Sequence, residues 1–125
     1  MPKVRLLTTM GALLAALGVA LGAFGSHALE AMVTPQRLET WGTAVHYHMI
    51  HAIALLWLGL YLQHNPERHI FAPSLVIAAG TFIFSGSLYA LVLLDLPQLG
   101  AVTPLGGVLL IGGWLTLAWQ LARHQ

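Results

Sequence analysis

Four long apolar stretches limit this 125-residue chain to very few folds. A helix needs about 20 apolar residues to cross roughly 30 Å of hydrocarbon, and residues 6–24, 43–63, 72–94 and 105–122 approach that length. Backbone polar groups find no water inside a bilayer, so a crossing segment must be a helix or part of a closed barrel. Barrel strands alternate polar and apolar residues, whereas these stretches are apolar on all sides. The sequence therefore predicts an all-α integral membrane four-helix bundle, with residues 1–125 as a single transmembrane domain.

The composition excludes several functional classes. Hydrophobic residues make up 58% of the chain and charged residues 7%, against roughly 25% charged in soluble domains, which excludes a soluble or a disordered protein. A formal net charge of +1 gives no basic face, so we expect no nucleic-acid partner. The lack of cysteine removes disulfides, thiolate metal sites and cysteine nucleophiles. The sequence shows no nucleophile–base pair, phosphate-binding loop or paired carboxylates, so we expect no enzymatic activity and no cofactor.

Charged residues lie outside the apolar stretches and predict the orientation. Four crossings place both termini and the connection between spans 2 and 3 on one side of the membrane. That side carries Lys3, Arg5, Arg68 and Arg123. Arg37 is the only lysine or arginine on the other side. The positive-inside rule therefore predicts cytoplasmic termini. A cleavable signal peptide is the alternative for residues 6–24, but a signal peptide's apolar region of about 7–15 residues is shorter than this stretch.

The segment between spans 1 and 2 predicts an amphipathic helix that leads directly into span 2. Leu38, Trp41 and Val45 recur at spacings of three and four with polar residues between them. We expect the first two turns to lie at the membrane interface, with Trp41 and Tyr47 near the aromatic belt. Thr34 and Thr103 each precede a proline and are predicted to cap helices.

Thirteen glycines are found mainly in the apolar stretches. Small residues let membrane helices approach closely, so that dispersion contacts hold them together. We expect packing within one chain, and the alternative is homo-oligomer contact through the same faces. The glycines assigned to packing are Gly18, Gly22, Gly25, Gly86, Gly106, Gly107 and Gly113.

Histidine is the main ionisable residue inside the predicted spans, where such groups suggest a function by default. His48 and His51 lie about 60° apart around a helix, a spacing that can offer two imidazoles to a metal or a haem. Together with His27, near the end of span 1, they form a candidate metal set, with Glu30 one turn away; His46 points elsewhere. The alternative is that these histidines are neutral and bond to backbone carbonyls.

Four strings, in order along the chain, resemble one family. They are GAFGSHAL at residues 22–29, TAVHYHMIHAIALL at 43–56, FSGSLY at 84–89, and TPLGG at 103–107 followed by GW at 113–114. Together they resemble the YgdD-like family of small four-span membrane proteins, a domain-of-unknown-function family. The resemblance spans nearly the whole chain. It implies a multi-pass protein of the bacterial inner membrane with no assigned activity.

The resemblance also implies where a shared site would lie. The family pattern matches at His27, Tyr47 and His51, but it usually has glutamine in place of His48. It places the site at one end of helices 1 and 2, with hydroxyl groups of helix 3 facing it. The candidate polar cluster is therefore His27, Tyr47, His48, His51, Ser85, Ser87 and Tyr89.

These observations favour a binding or accessory module for a lipid, a small apolar molecule or a partner membrane protein. Membrane lipids are the expected surroundings, and a homo-oligomer or another membrane protein is the expected partner. One alternative is a subunit of an oligomeric transporter or channel, because four short spans rarely enclose a pathway alone. A second alternative is a haem or metal carrier that uses His27, His48 and His51.

Overall fold

The computed structural model describes residues 1–123 and consists mainly of four long helices. Helix α1 spans Pro2–His27, α2 spans Pro35–His64, α3 spans Phe71–Leu94 and α4 spans Thr103–Ala122. Short 3-10 turns at Leu29–Ala31 and Pro97–Ala101 join α1 to α2 and α3 to α4. All four helices are long and apolar enough to cross a membrane, and residues 1–123 contain no strand. The predicted all-α four-helix membrane bundle is confirmed.

The ends of the helices follow local chemistry, with one exception to the prediction. The Thr34 hydroxyl accepts a hydrogen bond from the backbone N–H of Arg37 at 3.2 Å and caps α2, as predicted. Helix α2 then continues for 30 residues, about 45 Å, so the interfacial segment and the second span are one helix. The predicted cap at Thr103 is wrong, because Thr103 is the first residue of α4 and its hydroxyl lies 2.6 Å from that of Ser87 in α3. Asp95 ends α3 in the left-handed conformation, with φ of 51°.

The helices form two hairpins, α1–α2 and α3–α4, which pack together through α2 and α3. In the central helices α2 and α3, 39% and 44% of an 18-residue apolar stretch is buried inside the protein. The corresponding shares are 22% for α1 and 28% for α4. Within residues 1–123, α1 and α4 share no extensive contact, so α2 and α3 form the centre of the bundle. We call the end that holds both 3-10 turns the paired-loop end, and the opposite end the termini end.

Glycine sets the distance between the two helices of each hairpin. A Cβ atom on Gly11 would lie 2.5 Å from the backbone nitrogen of Leu56, and one on Gly59 would lie 2.9 Å from that of Thr8. In the second hairpin, a Cβ atom on Gly106 would overlap the backbone nitrogen of Phe84. Any larger residue at these three positions would push the backbones apart. The sequence pattern did not single out Gly59.

The glycines predicted to mediate packing differ in how closely they are packed. Those for which a Cβ atom would come closer than 3 Å to another helix are Gly18, Gly25, Gly106 and Gly113. Gly22 would make an ordinary contact at 3.4 Å, and Gly107 one at 3.9 Å. Gly86 would have no heavy atom within 4 Å, so no contact inside residues 1–123 requires glycine there.

Candidate functional site

The centre of the candidate site is His48, which is 3% exposed and hydrogen-bonded on both sides of its ring. Its Nε2 lies 2.7 Å from the carbonyl oxygen of Leu14 in α1, and its Nδ1 lies 2.8 Å from the hydroxyl oxygen of Tyr89 in α3. A carbonyl can only accept, so we assign the proton to Nε2, and Nδ1 of the neutral ring then accepts from Tyr89. His48 therefore joins α1, α2 and α3.

Trp41 extends this cluster toward the paired-loop end. It lies seven residues before His48 on the same face of α2, and its Nε1–H donates to the carbonyl of Leu21 at 2.9 Å. Leu21 in turn lies seven residues from Leu14 along α1. The Trp41 ring packs against the ring of Tyr89, with 4.7 Å between centroids. Two side chains of α2 thus donate to two carbonyls of α1, and Tyr89 contacts both side chains.

His51 lies almost one turn further along α2, but it bonds to α4 rather than to α1. Its Nδ1 lies 2.7 Å from the carbonyl oxygen of Tyr47, and Trp114 Nε1–H donates to its Nε2 at 3.0 Å. The carbonyl again fixes the proton, here on Nδ1, so His51 is neutral in the tautomer opposite to that of His48. His51 therefore joins the first hairpin to the second.

The remaining candidates on α3 have separate partners. The Ser85 hydroxyl donates to the carbonyl of Ala44 in α2 at 2.8 Å, whereas Ser87 faces α4 and lies near the Thr103 hydroxyl. The Tyr47 ring packs on Phe84 with 4.5 Å between centroids. Within the membrane-spanning part of residues 1–123, the second hairpin is the donor in all three hydrogen bonds to the first hairpin, through Ser85, Tyr89 and Trp114.

The structure does not assemble the proposed metal set of His27, His48 and His51. His27 is exposed at the end of α1, and no hydrogen bond joins it to the other candidates within residues 1–123. His48 and His51, predicted to share a face, bond to different neighbouring helices. In the described part of the chain no three His, Asp or Glu side chains are grouped so that they could hold a metal. A metal or haem would have to displace the hydrogen bonds that already engage both ring nitrogens of His48 and of His51.

Trp41 and Trp114 are the side chains of the site that sequence reasoning missed. Trp41, expected near the aromatic belt, is 2% exposed and lies between α1 and Tyr89. Its spacing of seven residues from His48 is a signal that could have placed both on one helix face. The carbonyls of Leu14 and Leu21 have no such signal, because every residue has a carbonyl group.

Two grooves run beside α2 near this site. The α1–α2 groove encloses about 540 Å³, with Gly22, Gly25 and Ser26 on one side and α2 residues between 38 and 50 on the other. The α2–α4 groove encloses about 480 Å³. His46 and Ile50 line both grooves. These two residues therefore form a ridge between the grooves.

Three polar side chains that line the grooves make no hydrogen bond in the described part of the protein. Within residues 1–123, no hydrogen bond engages the His46 ring, the Tyr47 hydroxyl or the Ser26 hydroxyl. His46 and Ser26 are exposed, and Tyr47 is 40% exposed. These groups are available to a molecule in the grooves, unlike His48 and His51.

Comparison with known proteins places the chain among uncharacterised membrane proteins. The family described as "Protein of unknown function (DUF423)" matches residues 21–107. UPF0382 membrane protein SAB0533 of Staphylococcus aureus (strain bovine RF122 / ET3-1) is 41% identical over 113 residues, covering 90% of this chain and 92% of that protein. UPF0382 membrane protein YwdK of Bacillus subtilis (strain 168) is 37% identical over 116 residues, covering 92% and 94%. No solved structure gives a significant match.

Proposed function

Because this chain belongs to the DUF423 family of membrane proteins of unknown function, we propose that it is a binding module for a lipid of the leaflet at the paired-loop end. The narrower YgdD-like name stays a prediction. Of the three kinds of ligand expected from the sequence, a lipid agrees best with the depth and chemistry of the ridge.

The depth of His46 matches that of lipid ester groups. Along α2, His46 lies about 27 Å from His64 at 1.5 Å per residue, and the hydrocarbon layer is about 30 Å thick. With His64 at one boundary of this layer, His46 lies just inside the other boundary. A polar group without a partner is costly at that depth. An imidazole or phenol hydroxyl there can donate to the carbonyl oxygen of a lipid ester.

The observation that carries the proposal is the α1–α2 groove with unpartnered polar groups on an otherwise apolar lining. Its volume of about 540 Å³ falls within the usual range of ligand sites. Ser26 and His46 supply hydrogen-bonding groups, and Val45, Met49 and Ile50 supply apolar contact. Gly42 also lines the groove, and no heavy atom lies within 4 Å of where its Cβ would stand.

Two matched tryptophan variants test this site. Ile50 and Ile53 are 50% and 53% exposed on the same helix, but only Ile50 lines the grooves. We expect the wild type and Ile53→Trp, purified in mild detergent, to retain lipid in native mass spectrometry. Ile50→Trp fills the grooves and is expected to lose most of that lipid. The proposal fails if the wild type retains no lipid, or if the two variants retain equal amounts.

We also propose that both termini are cytoplasmic and that the protein resides in the bacterial inner membrane. Lys3, Arg5, Arg68 and Arg123 support this orientation against Arg37 alone. A C-terminal alkaline phosphatase fusion, which is active only outside the cytoplasm, is expected to be inactive. A fusion between α1 and α2 is expected to be active. The reverse result would overturn the orientation.

A further inference from the structure

We infer that the bound lipid has two hydrocarbon chains, one in the α1–α2 groove and the other in the α2–α4 groove, separated by the ridge. This inference rests on the proposed function, and it assigns a second part of the ligand site to α4. It also distinguishes a diacyl lipid from a single-chain amphiphile.

The position of the ridge matches the point where the chains of a diacyl lipid diverge. His46 lies near the ester depth, and Ile50 lies one turn deeper on the same face of α2. Both residues line both grooves. In a diacyl lipid the two chains leave neighbouring ester groups, which places the esters at His46 and the separated chains on the two sides of Ile50.

The α1–α2 groove continues above the ridge and provides space for the headgroup. It reaches Leu38 and Ser26 toward the paired-loop end, whereas the α2–α4 groove begins at His46. The first groove can therefore hold the headgroup together with one chain. The unpartnered Ser26 hydroxyl lies in this upper part.

The α2–α4 groove is suited to a hydrocarbon chain alone. Its α4 wall consists of Leu110, Ile111, Trp114 and Leu115. The indole N–H of Trp114 already donates to His51. The exposed part of the Trp114 side chain therefore has no free hydrogen-bond donor. Below His46 and Tyr47 the groove therefore offers a chain apolar contact only.

Leu115 and Val108 provide a matched pair for the test, since they are 67% and 68% exposed on α4. Only Leu115 lines the α2–α4 groove. The ligands are a diacyl phosphatidylglycerol and its single-chain lyso form, titrated separately onto delipidated protein in detergent and followed by native mass spectrometry. We expect the wild type and Val108→Trp to bind the diacyl lipid at least about tenfold more tightly, because the second chain adds many close dispersion contacts with the walls of the α2–α4 groove.

Leu115→Trp is expected to lower diacyl affinity to that of the lyso lipid and to leave lyso affinity unchanged. Three results would overturn the inference while the lipid site stands. The wild type could bind both lipids equally, Leu115→Trp could have no effect, or it could weaken both lipids by the same factor. If the wild type binds neither lipid, the proposed function itself fails.

Discussion

The seams inside the two hairpins differ from the seam between them. Inside the hairpins, glycines such as Gly11 in the first and Gly106 in the second bring backbones almost into contact. Across the seam between hairpins, no glycine in residues 1–123 is closely packed; hydrogen bonds from Ser85, Tyr89 and Trp114 join the hairpins. Lipid is as apolar as the helices, so neither seam gains from the hydrophobic effect. Inside the hairpins, close backbone fit acts together with side-chain bonds such as those from Trp41 and His48 to carbonyls of α1. The seam between the hairpins has side-chain bonds without the close glycine contacts.

The largest expected effect follows from breaking a seam inside a hairpin. In Gly11→Ala the new methyl group would lie 2.5 Å from the Leu56 nitrogen and 2.8 Å from the Ala52 oxygen. We expect a loss of about 3 kcal/mol in the free energy of unfolding, because backbone atoms must move apart. The measurement is reversible unfolding in mixed detergent micelles.

Gly112→Ala is the matched control for Gly11→Ala. No heavy atom lies within 4 Å of the Gly112 Cβ position, and alanine is the better helix former by about 1 kcal/mol. We therefore expect unchanged or slightly raised stability. Equal losses in the two variants would show that the Gly11 contact does not set the spacing of α1 and α2.

An intermediate effect is expected from His48, which takes part in both kinds of seam. His48→Leu leaves the partly buried Tyr89 hydroxyl without its acceptor and is expected to lower the free energy of unfolding by about 2 kcal/mol. Tyr89→Phe removes only the donor and is expected to cost about 1 kcal/mol. The double variant should cost less than the sum of the two, as a double-mutant cycle measures. Additive losses would argue against the hydrogen bond between these residues.

The smallest effect distinguishes a bond across the hairpin seam from one inside a single helix. Ser85 and Thr81 lie one turn apart on α3 and are both 2% exposed. Ser85 donates to Ala44 in α2, whereas Thr81 donates to Ile77 in its own helix. Ser85→Ala is expected to cost about 0.6 kcal/mol and Thr81→Val close to nothing. If the two unfolding free energies change equally, the seam bond adds no stability.

Much of the fold could be predicted because the bilayer limits the choices. The apolar lengths gave four helices, and the spacing of Leu38, Trp41 and Val45 gave the continuous α2. The sequence was less informative about which neighbouring helix a given residue contacts. Gly86, with the same small size as Gly106, faces no other helix of the described chain.

Only part of the membership of the candidate site could be predicted, since Trp41 and Trp114 were missed and His27 lies apart from the other candidates. His48, Tyr89, His51 and Ser85 were all expected to form polar contacts, but their partners were not predicted. Three helices surround α2, so about 60° of rotation separates a side chain that faces α1 and α3 from one that faces α4. Backbone acceptors such as the Leu14 carbonyl have no sequence signal.

The division of donors and acceptors between the hairpins has a consequence for self-recognition. In the membrane-spanning part of the described chain, the first hairpin offers only acceptors to this seam, namely the Ala44 carbonyl and one ring nitrogen each of His48 and His51. If two copies of the first hairpin packed through this surface, acceptor groups would face acceptor groups and could not form hydrogen bonds. Each hairpin is therefore complementary to the other and not to a duplicate of itself, which favours correct pairing of the halves in a crowded membrane.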